Sequence, residues 1–252
     1  VHAGINPALP ATEVYARTPA IDFLAAQPER MAATGYDFRP NAAMVYGLFD
    51  VRGDDSLKLS RYERVYGHEL ATPHPTFFRP IEHWDSPWLD RLGVRWVLAP
   101  PGSTPLGAGW QTAYSGSDAT VFDRGLPQPL VRVEDGAASP RVVSRTPGRW
   151  ELEWPGTAQA STRLTIAETW DAGWRAAIDG RPLAVEAVND LWLGLRPGPQ
   201  PGRLVVRYLP EGLHSGLAAS LLGLVLLVAG AWRLGGSTSS SEPSGIAARQ
   251  RD

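Results

Sequence analysis

The residues best suited to chemistry lie close together in FDVRGDDSLKLSRY, Phe49 to Tyr62. Asp50, Asp54 and Asp55 bracket Gly53, with Arg52 and Arg61 near in sequence. Carboxylates clustered in a loop can ligate a hard cation or accept hydrogen bonds from sugar hydroxyls, but this spacing is not that of an EF-hand loop. Asp54 and Asp55 also suit the N-terminus of a helix opening at Ser56, where acidic groups meet free N–H donors. Three histidines, His68, His74 and His83, follow at spacings that fit no helical ligand pair, so no metal site is assigned. A nucleophile elbow, a phosphate-binding glycine loop and a metalloprotease helix are all absent from the sequence, and no catalytic residue is assigned. A second candidate is ETWDAGWRAAIDG, where Trp170 and Trp174 are either packing residues of a hairpin or a platform for stacking sugars.

The bulk chemistry narrows the options. The chain has 252 residues, is 43% hydrophobic and 20% charged, and carries a formal net charge of −2. That balance supports a buried core and argues against nucleic acid as a partner. With no cysteine, disulfides, thiolate catalysis and zinc–thiolate sites are excluded. The start VHAGINPALP has neither a basic nor an apolar leader region, and the sequence reads as the C-terminal part of a longer protein.

Several elements must position these residues. Thr18-Pro19 and Ser86-Pro87 each read as a helix cap followed by proline at the first helical position. A helix is expected from Ser56 to Tyr66. Gly93 ends the helix begun at Ser86, and Val94 to Ala99 reads as a buried strand closed by Pro100-Pro101. Trp110–Tyr114 and Thr120–Phe122 read as a hairpin. From about Pro127 the period becomes two: Trp150, Leu152 and Trp154 alternate with Arg149, Glu151 and Glu153, and further strands are expected at Thr162–Ile166, Trp174–Ile178, Leu183–Val188, Leu191–Leu195 and Leu204–Tyr208. Asp179-Gly180 is a two-residue hairpin signal.

The fold class expected is therefore α+β. A mixed α/β domain (1–126) precedes an antiparallel β-sandwich (127–210), a transmembrane helix (212–234) and a disordered tail (235–252). The membrane segment, GLHSGLAASLLGLVLLVAGAW, has no charged residue with His214 neutral and no amphipathic stripe, and the lipid bilayer is its expected partner. Gly216, Gly223 and Gly230 recur on one side, a spacing that allows close approach of another membrane helix. Arg233, Arg249 and Arg251 place the tail in the cytoplasm and residues up to Glu211 outside.

Four stretches, in order, resemble the YfhO-type bacterial membrane proteins. PNAAMVYGLFDVRGDDSLKLSRY (Pro40 to Tyr62) is similar to their "PN … G … D … G-x-D-S-L … RY" passage, and LGVRWVLA (Leu92 to Ala99) to their "LGV-R/K-Y-V-L" strand. GWRAAIDGRPLAVEAVN (Gly173 to Asn189) resembles their "GW-x-A-x-V-D-G … N" hairpin. PGRLVVRYLPEGLHSGLAAS (Pro201 to Ser220) resembles the passage into their last membrane helix. Asp54 stands where the family usually has an aromatic residue, and Arg203 where it has histidine. The resemblance implies a polytopic plasma-membrane protein similar to GT-C glycosyltransferases, which move sugars from polyprenyl-phosphate donors to cell-envelope polymers. It also implies that the catalytic part lies upstream, and that this chain is an extracytoplasmic accessory region plus the last membrane helix. Its implied partners are the upstream membrane helices and a polyprenyl-phosphate sugar or envelope glycan. No cofactor is expected in this chain, and a divalent cation is compatible with the full-length protein. The substrate-binding candidates are Asn41, Asp50, Arg52, Asp54, Asp55, Arg61, Trp170 and Trp174. The alternative reading is a non-catalytic, membrane-anchored carbohydrate-binding or scaffold module.

Overall fold

A computed structural model describes residues 10–35, 38–53, 59–71, 80–134, 138–156 and 159–235. The chain divides into two compact units: residues up to Asp171 together with Arg175–Arg207, and Ala172–Trp174 together with the chain from Tyr208 onward.

The first unit opens with helices α1 (Ala11–Val14) and α2 (Pro19–Ala25). Thr18 caps α2, its hydroxyl accepting from the Ile21 N–H at 3.4 Å, and Pro19 occupies the first turn, as the sequence predicts. Strand β1 (Arg30–Ala33) then runs parallel to β2 (Val94–Ala99). The long crossover between them contains a short 3-10 turn (Pro40–Ala42), α3 (Ala43–Tyr46), α4 (Ser60–Val65), one wide π-type turn (Tyr66–Leu70) and α5 (Pro87–Arg91). Ser86 caps α5 through the Trp88 N–H at 3.2 Å, and Gly93 ends the turn at φ +76°, where a β-carbon would be strained. β3 (Gln111–Ser115) and β4 (Thr120–Asp123) form the expected hairpin, and the sheet order is β1-β2-β4-β3.

Helix α2 covers one face of this sheet: Ala20, Ile21 and Leu24 pack on Met31, Trp96, Leu98 and Val121. On the other face Ala32, Val94, Val97 and Phe122 meet Tyr66, Leu70, Leu89 and Leu92 of the crossover. Ala167, Val188, Leu191 and Trp192, from the β-rich half of the sequence, join that second core.

The β-rich half forms two antiparallel sheets. One contains β5 (Val131–Val133), β8 (Leu164–Thr169), β11 (Glu186–Val188) and β12 (Trp192–Leu195), in the order β11-β12-β8-β5. The other contains β6 (Arg141–Thr146), β7 (Arg149–Trp154), β9 (Trp174–Ile178), β10 (Arg181–Leu183) and β13 (Gly202–Tyr208), in the order β10-β9-β13-β7-β6. In β7 the alternation is realised: Trp150, Leu152 and Trp154 are buried and Arg149 and Glu153 are exposed. Strand β8 differs from the expected half-buried pattern. Leu164, Thr165, Ile166 and Ala167 are all buried, because its sheet has protein on both faces. The fully dry Leu152, Leu164, Ile166, Leu193, Leu195, Leu204 and Val206 are the sandwich core, each stabilising the fold by ~1.5–3 kcal/mol relative to exposure.

The stretch 183–188, expected as one strand, is two. β10 pairs with β9 in one sheet, and β11 pairs with β12 in the other. The Asp179-Gly180 turn has both residues at positive φ, 46° and 78°, as a type I′ hairpin turn requires.

In the second unit Gly173 lies against the chain following β13. Its carbonyl accepts from the Leu209 N–H at 2.9 Å, and Trp174 packs edge-on to Tyr208 with ring centroids 5.4 Å apart. Helix α6 (Leu213–Gly235) follows Gly212. Its Leu213–Trp232 stretch has a mean hydropathy of 1.9 over 20 residues, none of it buried. At 1.5 Å per residue that stretch is about 30 Å long, enough to cross a hydrocarbon core.

Candidate functional site: an arginine-rich cleft

The crossover from β1 to β2 brings Phe49–Val51 alongside β1. The Met31 N–H donates to the Phe49 carbonyl at 2.9 Å, and the Val51 N–H to the Met31 carbonyl at 3.0 Å. Asp50 and Arg52 then turn inward. Their side chains are 2% and 0% exposed, and the Arg52 Nη2 donates to Asp50 Oδ2 at 2.8 Å. The Arg52 backbone N–H also donates to Asp50 Oδ1 at 2.8 Å, closing a tight local loop. The rest of the guanidinium donates to the carbonyls of Ala33 (3.0 Å), Gly35 (3.4 Å) and Phe38 (2.9 Å). Burial pushes the Asp50 carboxyl up, against the pull of Arg52. This pair is therefore an internal staple holding the crossover to the end of β1.

Beside the staple opens a cleft of about 460 Å³. Its walls come from β1 (Arg30), the Phe49–Gly53 stretch, α4 and the turn after it (Tyr62, Tyr66), the end of β6 and its turn into β7 (Arg145–Gly148), the end of β8 (Ala167–Thr169) and Trp192 of β12. Tyr62 donates its hydroxyl to the Val51 carbonyl, and its ring stacks on Tyr66 at 6.0 Å. Burial pushes both phenols up, so they remain protonated hydrogen-bonding groups at any physiological pH.

The inner end is charged. Arg30 donates to the Leu92 carbonyl at 3.0 Å and to Glu168 Oε1 at 2.7 Å. Arg145 Nη2 lies 3.7 Å from the same Glu168 oxygen, beyond hydrogen-bonding distance. Its Cζ sits 3.7 Å from the Phe49 ring centroid and 4.9 Å from that of Trp150. Burial, and then the neighbouring Arg30, pull the Arg145 guanidinium down to about 10, with Glu168 opposing them. It stays charged at neutral pH.

Of the residues singled out in the sequence, Asp50 and Arg52 line this cleft. Asn41 is exposed in the 3-10 turn, away from the cleft lining. Arg61 pairs with Asp190, as does Arg64, and its guanidinium covers the Trp170 ring at 4.5 Å. The face of Trp170 nearest Arg61 is thus occupied by a cation. Trp174 is buried. Asp54, Asp55 and His74 lie outside the described residues. Sequence reasoning missed Arg30, Arg145 and Glu168. Arg145 lies opposite buried Trp150 in the β6–β7 ladder, but β6 (RVVSRT) shows no alternation, so no local signal marks it as covered.

Among the described residues no group of three or more His, Asp or Glu is placed to hold a metal ion. The arrangement can bind and orient a ligand through cationic donors and aromatic walls. Compared with protein-family models, with curated proteins and with solved structures, the chain matches none.

Proposed function

We propose that this chain is a membrane-tethered, extracytoplasmic accessory module of a YfhO-type, GT-C-like membrane protein that transfers sugars from polyprenyl-phosphate donors to cell-envelope polymers. Catalysis belongs to upstream membrane helices, and the head described above shapes the acceptor side. The observation that carries the reading is α6. A 20-residue apolar stretch with no buried face, in a chain that elsewhere buries most of its large apolar residues, calls for an apolar solvent. The ordered motifs support the family assignment. The cleft supports ligand handling, since its polar groups sit among aromatic walls in the manner of small-molecule sites.

Two measurements test it. Leu222→Arg with Val225→Arg places two charges near the centre of α6, at a cost of ~2.5–3.5 kcal/mol each on insertion. The variant is expected to move from an alkali-washed membrane pellet to the supernatant. A wild-type chain already found in the supernatant refutes the tether. Deleting the gene for the full-length protein is expected to remove one sugar modification from an envelope polymer, and an unchanged envelope glycan profile refutes the glycosyltransferase reading.

A further inference from the structure

We infer that the inner end of the cleft binds a small anion carried on a ring, a carboxylate or phosphate ester of a sugar-sized molecule, with Arg145 as its principal anchor and Arg30 as its second. The site lies in the head and stands whether or not α6 crosses a membrane.

The first observation is an orphaned cation. The Arg145 side chain is 10% exposed, yet its Nε and Nη1 are buried without a hydrogen-bond partner among the described residues. A desolvated guanidinium with free N–H groups is costly, and native proteins keep few of them. The rings of Phe49 and Trp150 offset part of that cost but offer no acceptor in the plane of the guanidinium.

The second observation is a local charge imbalance. Among the described residues Arg30 and Arg145 share the carboxylate of Glu168, and Arg30 holds it at 2.7 Å. Among the described residues the remaining carboxylates that line the cleft are committed: Asp50 to Arg52, and Glu63 to contacts of its own. One more negative group would balance the pair and supply the missing acceptor, making charge-assisted bonds in a poorly solvated place.

The third observation is preorganisation. Arg145 is held against two aromatic rings and Arg30 by the Leu92 carbonyl, so little side-chain freedom is left to lose on binding. Beside them, Tyr62 and Trp192 present apolar surface for a ring, and the volume of about 460 Å³ falls within the range of small-molecule sites.

The test uses the full chain in detergent micelles, titrated calorimetrically with sodium glucuronate, glucose 1-phosphate and glucose. Saturable binding of one or both anions is expected, with glucose weaker by about tenfold or more. Which anion binds tells carboxylate from phosphate ester. Arg145→Met keeps the stem length and removes the charge. It should weaken anion binding by about tenfold or more while leaving the melting temperature equal to or above that of the parent, because an unpaired buried charge is gone. Glu168→Gln, which retains an acceptor for Arg30 but not the competing charge, should tighten anion binding. Absence of saturable binding by either anion, equal binding of glucose, unchanged binding in Arg145→Met, or weaker binding in Glu168→Gln overturns the assignment.

Discussion

Replacing Asp50 by alanine isolates the part of the molecule on which the cleft depends. In the folded chain the Asp50 carboxylate receives the Arg52 backbone N–H at 2.8 Å, Arg52 Nε at 3.1 and 3.2 Å, and Nη2 at 2.8 Å. Without it Arg52 loses these charge-assisted bonds and retains those to the neutral carbonyls of Ala33, Gly35 and Phe38, inside a site where its side chain has no exposure. Removing one member of a buried pair costs ~3–5 kcal/mol, because the other charge is left uncompensated. Against a total stability of ~5–15 kcal/mol this is a large fraction. At roughly 2–4 °C per kcal/mol for a chain of this size, the melting temperature should fall by about 6–20 °C. Arg52→Met strands Asp50 in the same way and releases three carbonyls. Because the two residues share one network, the double variant Asp50→Ala/Arg52→Met should cost less than the sum of the singles by ~0.5–3 kcal/mol. Thermal unfolding of the four proteins, followed by tryptophan fluorescence in detergent, measures all of these quantities. A fall of under about 2 °C in Asp50→Ala, or strict additivity in the double variant, would refute the staple.

Two further outcomes follow from the same structure. Acid sensitivity should be set by carboxylates held below their ordinary range: Asp118 by Tyr114 and the Ala20 N–H, Asp123 by Arg95, and Glu151 by Arg203 and Arg149. A depressed carboxyl stabilises the fold above its unfolded value and loses that contribution as pH falls toward its folded one. Melting temperature should therefore decline as pH drops through 4.5 and 3.8, the ordinary values of these groups, while Asp50, shifted upward, opposes the trend. Asp118→Asn should differ most from the parent above pH 3.8 and converge with it below, and parallel curves would contradict the assignment. Gly173→Ala would place a β-carbon 2.6 Å from the Tyr208 ring and 2.7 Å from the Leu209 carbonyl oxygen. It should destabilise by ~1–3 kcal/mol, whereas Gly223→Ala in α6, with open space around it, should leave the melting temperature unchanged.

Local chemistry made several elements readable from the sequence. Thr18-Pro19 and Ser86-Pro87 carry their caps within three residues, and Asp179-Gly180 carries its turn within two. The period-two run at Trp150, Leu152 and Trp154 states which face is buried. The apolar stretch of α6 needs no partner to be recognised. Strand β1 was illegible because it is four residues long and its ladder is to Val94–Leu98, far along the chain. The division of 183–188 between two sheets was illegible for a related reason, since nothing local marks the point where a strand changes its neighbours.

The same distinction explains the cleft. Asp50 and Arg52 stood out as a polar cluster, but their role depends on Ala33, Gly35 and Phe38, whose carbonyls they hold only after the crossover has folded back. Arg145 belongs to β6, whose other residues are exposed, and it is covered by Trp150 across the ladder and by Phe49, almost a hundred residues earlier. Arg30 and Glu168 meet across 138 positions of sequence. A period, a cap or a spacing records what a residue does to its near neighbours. A desolvated cation assembled from β1, β6 and β8 is recorded by none of them, and its chemistry appears only once three strands have fixed where each charge has no water.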